Sequence, residues 1–331
     1  MASFKYNDVY IKDYCTIVGP KEKEGNIKFP NSIKDYYYDE ENLEEAEIKM
    51  QNYCLNNLLK KNKMAASDIN LVIGGDLIDQ SVITSYNLAN KKIPFLGVYN
   101  ACSTFNEALL ILANFLEAKM IKNGICITSS HNLNAERQYR FPIEYGAVRK
   151  IYSTFTTTGG AACLLTNEKT PYKIESSTIG KVVDYGIKDA SNMGAIMAPS
   201  AALTLYEHLT DLNRDVNYYD VIVTGDLGLL GSKIFQRLIK NDYNYNLPNY
   251  FDAASIIYKE DQNTNQGGSG PVVMPLILFT KLLTEKKYKK ILLLATGSLH
   301  NPLMVNLKKS IPSITHAISI EVMKWHIWML L

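Results

Sequence analysis

The chain repeats itself, and the repeat limits the fold more tightly than any other feature. Four apolar runs recur in one order, at offsets of roughly 150 to 167 residues. "LVIGGDLIDQ" (71–80) returns as "VIVTGDLGLLG" (221–231), each an apolar run that ends in Gly-Asp. "ACSTFNEALLIL" (101–112) returns as "GGSGPVVMPLIL" (267–278), a turn of small residues opening onto an apolar helix. "GICITSS" (124–130) is matched by "KILLLATGS" (290–298), and "TGGAACLLT" (158–166) by "THAISIEV" (315–322). Each match is weak alone. Four in one order describe a duplicated unit.

Local patterns agree with the duplication. The short β-branched runs 71–74, 125–129, 221–224 and 291–296 predict buried strands. Residues 42–63 carry apolar side chains at helical spacing, with an acidic start and a lysine-rich end that suit the helix dipole. Their counterpart is "PSAALTLYEHLTDLNR" (199–214), which places Pro199 in a first helical turn. Each half therefore reads helix, strand, buried helix, strand, loop, strand. The expected fold is α/β, a five-layer αβαβα sandwich of two pseudo-symmetric halves, residues 1–170 and 171–331.

Composition narrows the function class. The net charge of +2, without a long Lys/Arg block, argues against a nucleic-acid binder. Cys15, Cys54, Cys102, Cys126 and Cys163 form neither a C-x-x-C pair nor a Cys/His cluster. A zinc site and a disulfide framework are therefore unsupported, a reducing environment is expected, and no metal or cofactor is assigned. The start, "MASFKYNDVYIKDYC", lacks a signal-peptide core. The apolar stretches "ALLILANFL" and "PVVMPLILF" fall short of the ~20 residues that span a bilayer, as does the closing "WHIWMLL". Any membrane association is expected to be peripheral.

"NACST" resembles the active-cysteine turn of the thiolase and ketoacyl-synthase superfamily, and "NQGGSGP" resembles the Asn-x-Gly-Gly turn of its second half. A narrower resemblance rests on "GVYNACSTFNEALLILANFLEA", "TSSHNLNAERQYRFPIEYG", "TTTGGAACLLT", "QGGSG" and "ATGSLHNP…SIPSITHAISIEV". Together these are similar to the stage V sporulation protein AD family, the thiolase-like member of a channel-protein set in endospore formers. "SSHNLNAERQYRFPIEYG" is the most specific piece, and the likeness runs from about residue 15 to 322. The resemblance implies binding of dipicolinic acid (pyridine-2,6-dicarboxylate) and help in moving it across the spore inner membrane. It also implies a peripheral position beside integral membrane proteins of the same set, and a homodimer built on the relatives' usual seam. Whether calcium accompanies the ligand as its chelate stays open.

Claisen-type chemistry sets requirements that bear on Cys102. A thiol at a helix N-terminus loses its proton more easily, but it then needs a proton acceptor and oxyanion donors. The superfamily supplies a His in the second half's first turn, plus a His or Asn beside the Gly-Gly turn. Here "VTGDLG" puts Asp226 or its neighbours where the ketoacyl synthases have histidine, and "NTNQGGSGP" keeps Asn265 without the thiolase Gly-His-Pro. A carboxylate beside a thiolate raises the thiol pKa. Cys102 is thus read as lining a pocket. The alternatives are a core filler or the nucleophile of a cysteine-dependent acyltransferase or condensing enzyme, with His131 or His300 folding back as its base. No catalytic residue is assigned.

Other candidates follow from the ligand's two carboxylates. The backbone N–H groups of Ser103 and Thr104 open a helix, where carboxylates bind readily. Arg137 and Arg140 in "ERQYRFP", with His131 before them, offer bidentate partners. The competing reading pairs these arginines with Glu136 and Glu144 or sets them in the dimer seam, and lets His131 cap a turn. Asp76 and Asp226 end equivalent strands, as polar pocket groups or as turn caps; they would be the hard-oxygen neighbours of any co-bound calcium. Asn265, Gly267, Gly268, Ser269 and Gly270 form the turn that the repeat aligns with Cys102. Thr296, Gly297 and Ser298 end a strand and are expected to face the same cavity. The tyrosine-rich 241–258 is read as packing or as a partner surface.

Overall fold

The structure of the chain, a computed structural model, describes residues 2–139 and 149–323. The first half runs β1 (Ser3–Lys5), β2 (Tyr10–Val18), a short α1 (Pro20–Lys23), α2 (Leu43–Lys61), β3 (Leu71–Asp76), α3 (Val82–Leu88), β4 (Phe95–Gly97), α4 (Thr104–Glu117), β5 (Asn123–Ser130), α5 (Asn132–Tyr139), β6 (Phe155–Thr156) and β7 (Gly159–Thr166). The second runs β8 (Tyr172–Thr178), α6 (Met193–Leu212), β9 (Val221–Thr224), α7 (Gly228–Tyr243), β10 (Tyr250–Asp252), β11 (Gly268–Ser269), α8 (Val273–Ile277), β12 (Lys290–Ser298), α9 (Pro302–Asn306) and β13 (Ser313–Val322). A π-helical turn, Leu278–Leu282, continues α8.

The duplication is visible in strand order. The first sheet is ordered β2-β7-β5-β3-β4 and the second β8-β13-β12-β9-β10. In each half the first strand pairs the fifth, then come the fourth, second and third. β2 and β8 join the sheets through Tyr10↔Lys173 and Ile11↔Tyr172 alone.

Alternation along the strands sorts side chains into layers. Ile73, Cys126 and Cys163 of the first sheet, and Val223, Leu293 and Ile318 of the second, face α4 and α8 between the sheets. Val72, Ile125 and Leu164 face α2 on one outer side. Ile222, Leu292 and Ala317 face α6 and α7 on the other. The result is the five-layer α/β sandwich. Its middle helices are mostly apolar because both of their flanks are sheets, and buried Asn106 of α4 donates to Leu293 O and His316 O.

Two details differ from the sequence reading. Helix α6 starts at Met193, so Pro199 lies inside it and not in its first turn. The start is fixed by a close crossing with α7: a Cβ on Gly194 would lie 2.4 Å from Leu227 O and 3.0 Å from Gly231 Cα. That packing outweighs the one backbone donor Pro199 lacks. Within the tyrosine-rich segment, Tyr243, Tyr245 and Tyr250 pack on the second-half core, and Tyr243 stacks on Tyr206 at 4.4 Å.

None of the five cysteines forms a disulfide. Among the described residues no helix is long and apolar enough to cross a membrane, and no group of three or more His, Cys, Asp or Glu is placed to hold a metal. Arg140, Glu144 and "WHIWMLL" lie outside the described residues.

Candidate functional site

The site forms where the first half's buried helix meets the second half's strand ends. Ala101, at φ +49°, kinks the chain after β4 and sets Cys102 at the head of α4. The thiol is buried and faces the carboxyl of Asp226, which follows β9. Asp226 Oδ1 accepts the Gly270 N–H at 2.7 Å, and the Asp226 N–H donates to Thr296 Oγ1 at 3.3 Å. Gly270 reaches this position at φ +124°, where a side chain would be strained and its Cβ would meet Ser130 Oγ at 2.7 Å.

The electrostatics favour a neutral acid. Burial, and then the nearby Asp252, push Asp226 well above the usual carboxylate range. Burial also raises Asp252, to about 7, although it accepts from Thr224 Oγ1 and from the Leu227, Gly228 and Ser255 amides. The group that meets the thiol is therefore an acid, and it draws no proton from sulfur.

Beside Cys102 lies a small cavity of about 30 Å³, a single water's share of liquid volume. Its polar lining includes Thr156, Ser269, Ser298 and His300, and its aromatic wall is Tyr99 and Tyr139. The two tyrosine hydroxyls are 2.5 Å apart, and the Tyr139 ring lies 5.5 Å from that of His300. Ser298 Oγ is buried with no hydrogen-bond partner among the described residues. The lining contains no Lys or Arg among the described residues.

Of the expected residues, Cys102, Ser269 and Ser298 line this cavity, with Gly268 next to Ser269 on β11. Asp226 and Thr296, joined through the Asp226 N–H, stand behind it and do not line it. Ser103 and Thr104 adjoin it, but their amides close onto Asn100 O and Ala101 O within the turn. Ser103 Oγ donates to Ala295 O at 2.7 Å. Their N–H groups are used by the fold itself. Asn265 and Gly267 open onto a different cavity, of about 860 Å³. Asn265 Nδ2 there donates to Lys150 O at 3.1 Å.

Asp76 caps the turn into α3, accepting from the Ile78 and Thr84 amides and from Thr84 Oγ1. Burial raises it to about 6, and burial together with Asp76 raises neighbouring Glu47 to about 8. His131 places Nε2 2.9 Å from Tyr36 O, away from the cavity, and burial lowers it to about 4. Arg137 pairs with Glu44 and Asn134, while buried Glu136 pairs with Arg149. Arg140 lies outside the described residues.

Sequence reasoning did not single out Tyr99, Tyr139, Thr156, Met193 or Asp252. Tyr99 and Tyr139 stood inside quoted motifs, "GVYNACST" and "ERQYRFP", where a cysteine and two arginines drew the attention. Asp252 carried no signal, since only the parallel pairing of β10 with β9 brings it to Asp226.

Residues 2–321 match the model of the family described as stage V sporulation protein AD. Stage V sporulation protein AD of Bacillus subtilis (strain 168) is 37% identical over 321 residues, covering 95% of this chain and 94% of that one. Among solved structures, a single-substitution variant of Xanthomonas campestris OleA superposes with TM-score 0.64 at 16% identity, covering 96% of this chain and 98% of that one. Another OleA variant, with bound lauric acid and lauroyl-CoA, gives TM-score 0.61 at 15% identity and covers 95% and 99%. A tetronic acid condensing enzyme, AbyA1, gives 0.54 at 13% identity and covers 85% and 87%. At such identities the likeness carries the fold alone, which is that of thiolase-like condensing enzymes.

Proposed function

Because the chain belongs to the stage V sporulation protein AD family, we propose that it serves sporulation as a non-catalytic binding protein for dipicolinic acid. One observation carries the reading: the cysteine of a condensing-enzyme fold faces Asp226, a buried acid, where the chemistry would need a base. The same acid suits a ligand. A neutral carboxyl donates a hydrogen bond to an incoming carboxylate, whereas an ionised one would repel it.

Ser298 Oγ, Ser269 and Thr156 supply further donors, and Tyr99 and Tyr139 offer flat faces for the ring. The cavity is several times too small for an aromatic diacid, so entry parts the Tyr99–Tyr139 contact. In this reading the protein works peripherally at the spore inner membrane, as a homodimer beside integral proteins of its set, and helps the diacid across.

Calorimetric titration with pyridine-2,6-dicarboxylate, with the 3,5-isomer as control, tests the reading. Saturable heat for the 2,6-isomer alone supports it, and a parallel rise in melting temperature checks it independently. Repeating the titration with calcium shows whether the chelate is the bound form. No heat, with Cys102 open to thiol reagents, refutes it for this chain. A second reading, a cysteine-dependent acyltransferase, draws on the position of Cys102 at the head of α4. Acyl-thioester treatment would then leave a stable mass increment on Cys102.

A further inference from the structure

Strand β2 and the helix that covers it each carry a thiol where they touch. Cys15 of β2 pairs with Ala162 of β7, and two residues on, Ile17 pairs with Gly160. Alternation turns Cys15, Ile17 and Ala162 to one face, which packs against α2. The helix sits close here because Gly160 has no side chain: a Cβ would lie 3.2 Å from Met50 O. One turn along α2 from Met50, the Cys54 thiol donates to Gly160 O at 3.3 Å. Cys54 belongs to the same core cluster against which Cys15 packs.

The two thiols differ in their surroundings. Cys15 is half-buried, on a rim it shares with Asn31, Tyr53 and Asn57, whereas Cys54 is fully buried. The Cys54 thiol beside it, together with Lys61, lowers the Cys15 thiol against the opposing effects of burial and Asp13. Burial, and then Cys15, raise Cys54 well above the ordinary thiol value. An accessible thiol that ionises readily, backed by a buried one that does not, suits an attacking and a resolving cysteine.

We propose that Cys15 and Cys54 form a redox modification site, whose disulfide staples β2 to α2 on exchange with a small-molecule disulfide such as oxidised glutathione. The Cys15 thiolate attacks one sulfur of the reagent, breaks its S–S bond and expels one glutathione thiolate. Cys54 then loses its proton and attacks the Cys15 sulfur of the mixed disulfide, expelling the second glutathione. The reagent is reduced to two thiols, and the two cysteines are oxidised by the same electron pair. The new bond closes the intervening chain into a loop and so restricts the unfolded state. The site stands whether or not the Cys102 cavity binds dipicolinate.

The experiment incubates the native full chain with oxidised glutathione and follows it by intact and peptide mass spectrometry without reduction. The expected product is two hydrogens lighter than the starting protein. It carries one link, between the Cys15 and Cys54 peptides, and keeps Cys102, Cys126 and Cys163 as thiols. Its melting temperature rises by a few degrees, and reduction reverses the rise. In Cys54→Ala the first step still runs, so the glutathione adduct stays on Cys15. In Cys15→Ser neither adduct nor link forms. Circular dichroism establishes that both variants are folded, and the wild-type readouts decide the matter without them. A glutathione adduct that persists on wild-type Cys15, or a link through any other cysteine, overturns the proposal. So does an unreactive Cys15, or a cross-linked chain that melts no higher than the dithiol form.

Discussion

Glu22→Gln should flatten the pH dependence of stability, and the structure sets its size. Glu22 lies wholly buried in α1. Its Oε1 accepts the Thr158 N–H at 3.0 Å and the Tyr258 hydroxyl at 2.5 Å. Those bonds favour the carboxylate, as does Lys21, yet burial dominates and raises the group from 4.5 to about 7. The folded state therefore keeps its proton to higher pH than the unfolded chain. In that window the unfolded state binds fewer protons, so stability falls as pH rises. The contribution is complete below the unfolded value of 4.5 and is lost as pH climbs through about 7.

Integrating the two titrations from about pH 5 to about pH 8 gives a loss of about 2.5 kcal/mol. Glutamine has no proton to lose and keeps an acceptor for Thr158 and Tyr258. Glu47, Asp76 and Asp252 are raised in both proteins and cancel in the difference. Urea unfolding of both proteins across this range, with linear extrapolation, measures that difference. Wild type should lose about 2.5 kcal/mol relative to the variant. Parallel profiles, or a wild type that gains on the variant as pH rises, would refute the burial argument.

Three further outcomes are expected. Ser298→Ala removes a buried hydroxyl without a partner among the described residues, so unfolding stability should change by under about 0.5 kcal/mol, while dicarboxylate affinity in calorimetry drops at least about tenfold. Asp226→Asn should speed alkylation of Cys102 at alkaline pH, where the wild-type carboxylate opposes the thiolate, as rate profiles by mass spectrometry would show. Gly267→Ala should cost about 1–3 kcal/mol by chemical denaturation, because φ is +106° and the new Cβ would lie 2.4 Å from Ala254 O.

The sandwich was legible because its cause is local. Strands buried on both faces must be continuous apolar runs, as "LVIGG" and "ILLLA" are, and helices between two sheets must be largely apolar, as "ALLILANFL" is. A duplicated order of such runs leaves few alternatives. Pro199 misled because the α6–α7 crossing at Gly194 and Gly231, a tertiary contact, decides where that helix starts. The site was legible in part. Cys102 and Asp226 stood out because the repeat aligned their turns, whereas Asp252 and the tyrosine wall join them only through strand pairing and loop paths. Asn265 and Gly267 are near neighbours of Ser269 in sequence, yet positive φ values of 55° and 106° turn them toward another cavity. Arg137, on α5, finds Glu44 of α2 nearer than any ligand, a partner that no spacing rule announces.

Asp226 ties chemistry to ligand in a way that can be measured. A dicarboxylate is already a dianion at neutral pH, and the described cavity lining brings no Lys or Arg to meet it. Binding then depends on the carboxyl staying protonated. Burial and Asp252 both hold it so, and an arriving anion would raise it further. Once pH passes the Asp226 pKa in the free protein, binding must either take up a proton or face a like charge. Affinity for pyridine-2,6-dicarboxylate should therefore be flat at lower pH and fall by up to about tenfold per pH unit above that point. In Asp226→Asn the fall should vanish, because the amide donates at every pH. Titrations of both proteins in buffers of different ionisation heat would count the proton directly. A wild-type affinity that is flat into the alkaline range, with no proton taken up, would show that the ligand never meets this acid.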